Sequence, residues 1–322
     1  MDNLPIWANS LIVMATFFAI GIGAKYTVDS AAALAQRLGV SPLVVGLTVV
    51  AMGTSLPEFS VTLMAAFKGE SSISVGNIVG SNIFNLGFIL GSAALVIAIP
   101  TDAILVWRDA SVLVVSTMLL YLLVGVDLRL GTLDGVILLI LFAGYLGLVW
   151  TKRRVGVTVP AAPVADELPA PATHPWREAA LLLLGLALVG VASHFLIGAA
   201  TSLARGFGVS EWAIAVTLVA AGTSVPELAT TLAAVVRGHM AIGAGNVVGS
   251  DIFNVLGVLG LAGVLQPMSL DPAARPSLLA LTGMVMVVLV MMRSGWRVSR
   301  AEGATLLVLA ALRWVLDFAA RQ

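Results

Sequence analysis

Ten long apolar runs follow one another along the chain, separated by short polar breaks. The first five fall near residues 6–28, 42–67, 73–99, 104–126 and 133–151, and the second five near 180–203, 211–236, 240–265, 277–293 and 303–319. A helix needs ~20 mostly apolar residues to cross a bilayer. The runs are continuous and do not alternate, which predicts spanning helices and argues against barrel strands. Between the two sets lies a stretch rich in Pro, Ala and charge, which reads as a flexible hydrophilic linker. This divides the chain into a unit at 1–151, a linker at 152–178 and a unit at 179–322.

The two units are copies. Residues 39–91 align on 208–260 without a gap at a constant offset of 169, and 26 of 53 positions are identical. Shared hydrophobicity does not explain this, because the identities include Gly, Asn, Pro, Glu, Thr and Ser at fixed places. The repetition continues more weakly, with Arg129 and Asp134-Gly135 echoed by Arg297 and Glu302-Gly303 one residue out of register. With five spans per copy, the second must insert upside down relative to the first. The expected fold is an all-α polytopic membrane protein of about ten transmembrane helices, arranged as two inverted five-helix repeats.

Composition narrows the picture further. Of 322 residues, 59% are hydrophobic and 11% charged, against ~25% charged in soluble domains. The mean hydropathy is +1.05. Seventeen basic and seventeen acidic residues cancel, and the longest basic run is Lys152-Arg153-Arg154, so a nucleic-acid partner is not expected. With no cysteine, disulfides, thiolate metal sites and cysteine nucleophiles are excluded. The first residues lack a basic stretch, so the first run is expected to be a mature span. Lys and Arg favour one side: Arg37, Arg108, Lys152–Arg154, Arg177, Arg237, Arg293, Arg297 and Arg300 fall together if both termini lie outside and the linker in the cytoplasm. The expected location is a prokaryotic inner membrane.

The chemistry lies in two duplicated motifs. The second run of each half carries Gly-Thr-Ser-x-Pro-Glu: Gly53, Thr54, Ser55, Pro57 and Glu58, then Gly222, Thr223, Ser224, Pro226 and Glu227. A carboxylate at mid-bilayer costs at least ~2.5 kcal/mol, and such residues persist where they line a cavity and bind something. Proline removes an N–H and crowds the carbonyl four residues back, which places the helix breaks at Gly53 and Gly222 and turns carbonyls near Ala51 and Ala220 into oxygen donors. Spacing puts Thr54 and Ser55 on one face with Glu58, and Thr223 and Ser224 with Glu227. The third run carries Gly-Asn-x-Val-Gly-Ser-[Asn/Asp]-Ile-Phe-Asn, with Ser81, Asn82 and Asn85 in the first half and Ser250, Asp251 and Asn254 in the second. Ser81 shares a face with Asn85, and Ser250 with Asn254. The glycine pairs 76/80 and 245/249 are read as packing devices for a close backbone approach. Asn82 and Asp251, about 100° round the helix, either support the ligands from behind or line the pore. An all-oxygen donor set suits Na⁺ or Ca²⁺ and not a soft transition metal.

These paired motifs, one set per five-helix half, closely resemble the α-repeats of the calcium/cation antiporter superfamily, in particular its sodium/calcium exchanger branch. The resemblance implies that Glu58 and Glu227 are the central calcium ligands, shared with the sodium sites. It implies that Thr54 and Thr223 add oxygens, that Ser55, Ser224, Ser81 and Ser250 line flanking sodium sites, and that Ala51 and Ala220 offer carbonyls beside Asn85. Some relatives carry Asp where this chain has Asn254, which argues against potassium coupling, while Asp251 nearby leaves the question open. The family also implies long first and sixth helices that slide as gates.

The implied function is Ca²⁺/Na⁺ exchange by alternating access. Proton-coupled calcium antiport and a passive cation channel are the alternatives. No cofactor and no obligate protein partner are expected; the bound species are the transported Ca²⁺ and Na⁺, and the surroundings are lipid. Hydrolase motifs such as HExxH and GxSxG are absent, so an enzyme is not expected. His194 is expected to be a buried, hydrogen-bonded structural residue, Lys25 to pair with Asp29 or snorkel, and Arg108-Asp109 to anchor the fourth span at the interface.

Overall fold

A computed structural model describes residues 4–125, 127–151, 174–207, 220–272 and 274–319. Most of the expected linker, 152–173, and the start of the seventh run lie outside the described residues. The first repeat comprises α1 (Ile6–Leu38), the bent pair α2 (Pro42–Thr54) and α3 (Leu56–Phe67), α4 (Ser71–Val96), α5 (Leu105–Gly125) and α6 (Thr132–Thr151). The second comprises α7 (Pro175–Gly206), the short α8 (Ala220–Gly222), α9 (Val225–Val236), α10 (Met240–Leu265), α11 (Ala274–Ser294) and α12 (Arg300–Ala319). Among the described residues seven helices are long and apolar enough to cross a membrane, and α2–α3 makes an eighth if counted as one span. With α9 and α12 the layout is compatible with ten.

Local signals set the ends. Gly39 takes φ +62° after α1, where its N–H bonds Gln36 O at 3.2 Å and that of Val40 bonds Ala35 O at 2.9 Å. This left-handed cap needs a residue without Cβ. Ser41 then accepts from Leu43 N at 3.2 Å, with Pro42 at the first helical position, where its missing N–H costs nothing. Helices α1 and α7 run to 33 and 32 residues, well beyond the apolar runs at 6–28 and 180–203, and pack along each other.

The repeats interlock. The end of α4 packs on α12, and equivalently the end of α10 packs on α6. Four two-residue strands add a feature that hydrophobic periodicity does not register. Ile99–Pro100 (β1) pairs antiparallel with Arg297–Val298 (β4), and Arg129–Leu130 (β2) with Met268–Ser269 (β3). Each ladder joins one repeat to the other, and the Arg129/Arg297 echo in the sequence marks two of these strands. The most buried helices are α4 and α10, and their motif-bearing ends form the middle of the molecule.

Candidate ion-binding site

The break in each second span lies two residues beyond the glycine. Ser55 N still bonds Ala51 O at 3.1 Å, so α2 continues through Gly53 and Thr54. The chain bends by 49° between α2 and α3, at Ser55 (φ −80°, ψ 10°). The second repeat does the same at Ser224 (φ −89°, ψ 9°). The glycines serve packing instead: a Cβ on Gly53 would meet Leu186 Cδ1 at 2.6 Å, and one on Gly222 would meet Ile197 Cδ1 at 2.6 Å, both on α7. Pro57 and Pro226 occupy the first turn of the new helix, where no intrahelical N–H is needed. Glu58 and Glu227 fall in the same turn, at the positive end of the helix dipole.

Ser-x-x-Glu spacing suits a reciprocal cap within one helix, but neither serine makes a cap bond. Each reaches across to the other repeat. Ser55 Oγ donates to Glu227 Oε1 at 2.8 Å, and Ser224 Oγ donates to Glu58 Oε1 at 2.8 Å. The face shared by Ser55 and Glu58 in sequence spacing is therefore broken by the bend. The hydroxyls pair with the opposite glutamate because the two breaks cross. Both glutamates are fully buried, and Oε2 of each has no hydrogen-bond partner among the described residues.

The other expected residues gather here. Thr54 Oγ1 donates to Ala51 O and to Asn246 Oδ1, both at 3.2 Å. Ser250 Oγ donates to Ala51 O at 3.4 Å, and Ser81 Oγ lies 3.5 Å from Thr223 Oγ1. Ala51 thus offers its carbonyl to three hydroxyl or amide donors, Ser55 N included. Ala220 opens α8 just before the second break. Between α4 and α10 lies an amide cluster. Asn85 Nδ2 donates to Asp251 Oδ1 at 2.9 Å, Asn254 Nδ2 to Asn82 Oδ1 at 3.0 Å, and Asn82 Nδ2 to Asp251 O at 3.1 Å. Asn85 Oδ1, Asn254 Oδ1 and Asp251 Oδ2 are buried without a partner among the described residues. Both Asn85 and Asn254 fall in π-helical turns, Asn85–Ile89 and Phe253–Val258, a local widening that recurs at functional sites. Among the described residues no group of three or more His, Cys, Asp or Glu side chains is arranged to hold a metal ion; the oxygens gathered here are the carboxylates of Glu58 and Glu227, that of Asp251 beside Asn85, and hydroxyl, amide and carbonyl groups.

Two positioning residues escape the ligand reading of the sequence. Asn77 Nδ2 donates to Thr62 Oγ1 at 3.1 Å and to Glu58 O at 3.4 Å. Asn246 Nδ2 donates to Thr230 Oγ1 and Thr231 Oγ1, both at 3.0 Å, and to Glu227 O at 3.4 Å. Each ties the turn that carries a glutamate to the third span of its own repeat. Their place after the motif glycine in both copies is the signal that marks them.

Four residues outside the site depart from expectation. Asp29 pairs not with Lys25 but with Arg237, 208 positions away, through a bidentate contact with Nη2 at 2.7 Å. Arg108 and Asp109 do not lie at an exposed interface. Their ion pair is buried, at 2.7 Å, and Tyr145 Oη donates to Asp109 at 3.1 Å. A π-helical turn over Leu105–Ala110 starts α5 at this point. His194 is exposed, edge-on to Phe195, and lines a cavity of about 810 Å³ between α2–α3 and α7.

The family model described as sodium/calcium exchanger protein matches residues 9–151 and 178–316. The inner membrane protein YrbG of Escherichia coli is 36% identical over 277 residues, covering 83% of this chain and 82% of its own. The sodium/calcium exchanger MaX1 of Methanosarcina acetivorans is 28% identical over 340 residues, covering 94% and 96%. A structure of the sodium-calcium exchanger NCX_Mj, soaked with Na⁺ and Sr²⁺, matches with a TM-score of 0.82 at 27% identity, over 96% of this chain and 98% of that one. With both repeats covered by the family match and the two crossed breaks at its centre, this integral membrane protein belongs to the sodium/calcium exchanger family.

Proposed function

We propose that the chain is a secondary-active antiporter that exchanges Ca²⁺ for Na⁺ by alternating access, with Glu58 and Glu227 as the shared ligands. The observation that carries this is the crossed pair of Ser–Glu bonds, which leaves one buried oxygen of each glutamate without a donor. Two carboxylates are balanced by one Ca²⁺ or by two Na⁺, so one cavity accepts either load but not both. Thr54, Thr223, Ser81, Ser250, Asn85, Asn254 and the carbonyls of Ala51 and Ala220 supply neutral oxygens, which serve Na⁺ and do little for H⁺. Two inverted repeats meeting at broken helices suit alternating access better than a channel ring. The names of MaX1 and NCX_Mj support the ion pair, and that of YrbG supports an inner-membrane location. The units at 1–151 and 179–322 are the moving halves, with termini outside and the linker in the cytoplasm, following the Lys and Arg bias. No catalytic chemistry and no cofactor are assigned; the ions are cargo.

The test is calcium uptake into proteoliposomes under imposed Na⁺, H⁺ or K⁺ gradients. Uptake driven by an outward Na⁺ gradient alone is expected. Uptake that follows a pH gradient and ignores Na⁺ would make the chain a proton-coupled antiporter. Dissipation of a calcium gradient without any counter-ion would make it a channel.

A further inference from the structure

The two ends of the bundle differ in a way that the duplicated sequence does not require. At one end the turn between α9 and α10 carries Arg237, whose guanidinium holds Asp29 of α1 through two bonds. On the adjacent residue of α1, Ser30 Oγ donates to Glu178 Oε2 of α7 at 3.1 Å. Both long helices are thereby tied to each other and α1 to the core at this end. The same end is closely packed, since Gly245 and Gly249 of α10 are buried and a Cβ on Gly249 would meet Leu47 O at 2.5 Å. At the opposite end the repeat places Lys68 where Arg237 stands and Gly198 where Asp29 stands. Glycine offers no carboxylate, so this pair has no counterpart there. The glycines equivalent to 245 and 249, Gly76 and Gly80, are exposed.

We infer that Asp29 and Arg237 are positioning residues that bias which side of the membrane the ion site faces, latching α1 to the core in the arrangement closed at the Arg237 end. This rests on the alternating-access reading of the same site. The pair is half-exposed, so it is screened by salt and carries a modest bias, roughly two- to fivefold in the ratio of the two arrangements. Other charged or titratable groups near the pair are His239, in the same turn, Glu178 of α7, and Lys25, one turn before Asp29 on α1. None of them replaces the carboxylate that meets Arg237.

The test uses the full chain in oriented proteoliposomes, with half-saturating calcium measured separately from each side. In D29N and R237A the half-saturating concentration is expected to fall at the Arg237 side and rise at the other, each by roughly two- to fivefold. The difference from wild type should shrink in high choline chloride. The reversed pair D29R/R237D should restore the wild-type ratio. E58Q serves as the reference for the site itself. An active E58Q overturns the site assignment. An inactive E58Q with D29N and R237A unchanged, or with both sides moving in the same direction, overturns the latch alone. Should D29N fail to fold, recovery of folded D29R/R237D with the wild-type ratio supports the latch, and a reversed pair with a shifted ratio overturns it.

Discussion

At the centre of the molecule the bonds that hold the two glutamates are returned from one repeat to the other, whereas at the ends the repeats part company. Ser55 reaches Glu227 and Ser224 reaches Glu58 at the same 2.8 Å. Asn77 and Asn246 hold equivalent turns. Yet Gly245 and Gly249 are buried against the backbone of α2 while Gly76 and Gly80 are exposed. Among the described residues the equivalent motif glycines of the two repeats thus stand in unlike surroundings. On the proposed exchange mechanism the centre keeps the same ligands in both arrangements, while the ends exchange roles.

The largest effect expected from this contrast is symmetric. Glu58→Gln and Glu227→Gln should each lower calcium flux at least about a hundredfold, since removing one charged partner from a buried set costs several kcal/mol. Both should fold, because Gln keeps the shape and still accepts from serine. Wild-type flux in either variant breaks the assignment. Next, Ser55→Ala and Ser224→Ala should lower apparent ion affinity by similar factors of about ten, the range for a hydrogen bond to a charged group. A large effect in one and none in the other would show that the centre is not shared equally.

The ends should respond unequally. Gly249→Ala places a Cβ within 2.5 Å of a backbone oxygen, and overpacking of this kind costs about 1–3 kcal/mol, readable as a lower melting temperature in detergent. Gly80→Ala meets nothing within 4 Å among the described residues, so stability should hold while exchange slows, because closing this end brings a backbone against the new methyl. Equal stability losses would erase the contrast. The smallest effect concerns His239, whose counterpart is Glu70. Burial pushes its imidazole below the ordinary 6.5, with Arg237 adding to this and Asp29 opposing it. The folded chain then binds fewer protons than the unfolded one, so stability is full above the ordinary value and declines as pH falls through and below it. His239→Asn should flatten that decline by roughly one or two degrees in melting temperature.

The centre was legible in the sequence to an uneven degree. Glu58 and Glu227 stood out because a charge in an apolar run is costly, and finding it twice at one offset leaves little room for accident. Which hydroxyl serves which glutamate was not legible, because helical spacing describes one continuous helix and the bend at Ser55 ends that face. The break itself was placed at Gly53 from the reach of proline, whereas the backbone bond from Ser55 N to Ala51 O carries the helix past the glycine. Asp29 and Arg237 lie 208 positions apart, so local spacing offered only Lys25, as a partner for Asp29 or a snorkelling side chain. The buried Arg108-Asp109 pair is joined by Tyr145, a partner 36 residues away that no motif announces.

The central claim is that one cavity holds either calcium or sodium on the same two glutamates. Calcium binding to the purified protein, titrated at several sodium concentrations, tests it most directly. The apparent calcium affinity should weaken with at least the square of sodium concentration, and E58Q and E227Q should each remove calcium binding and its sodium dependence together. Calcium binding that is unchanged in saturating sodium would contradict a shared site.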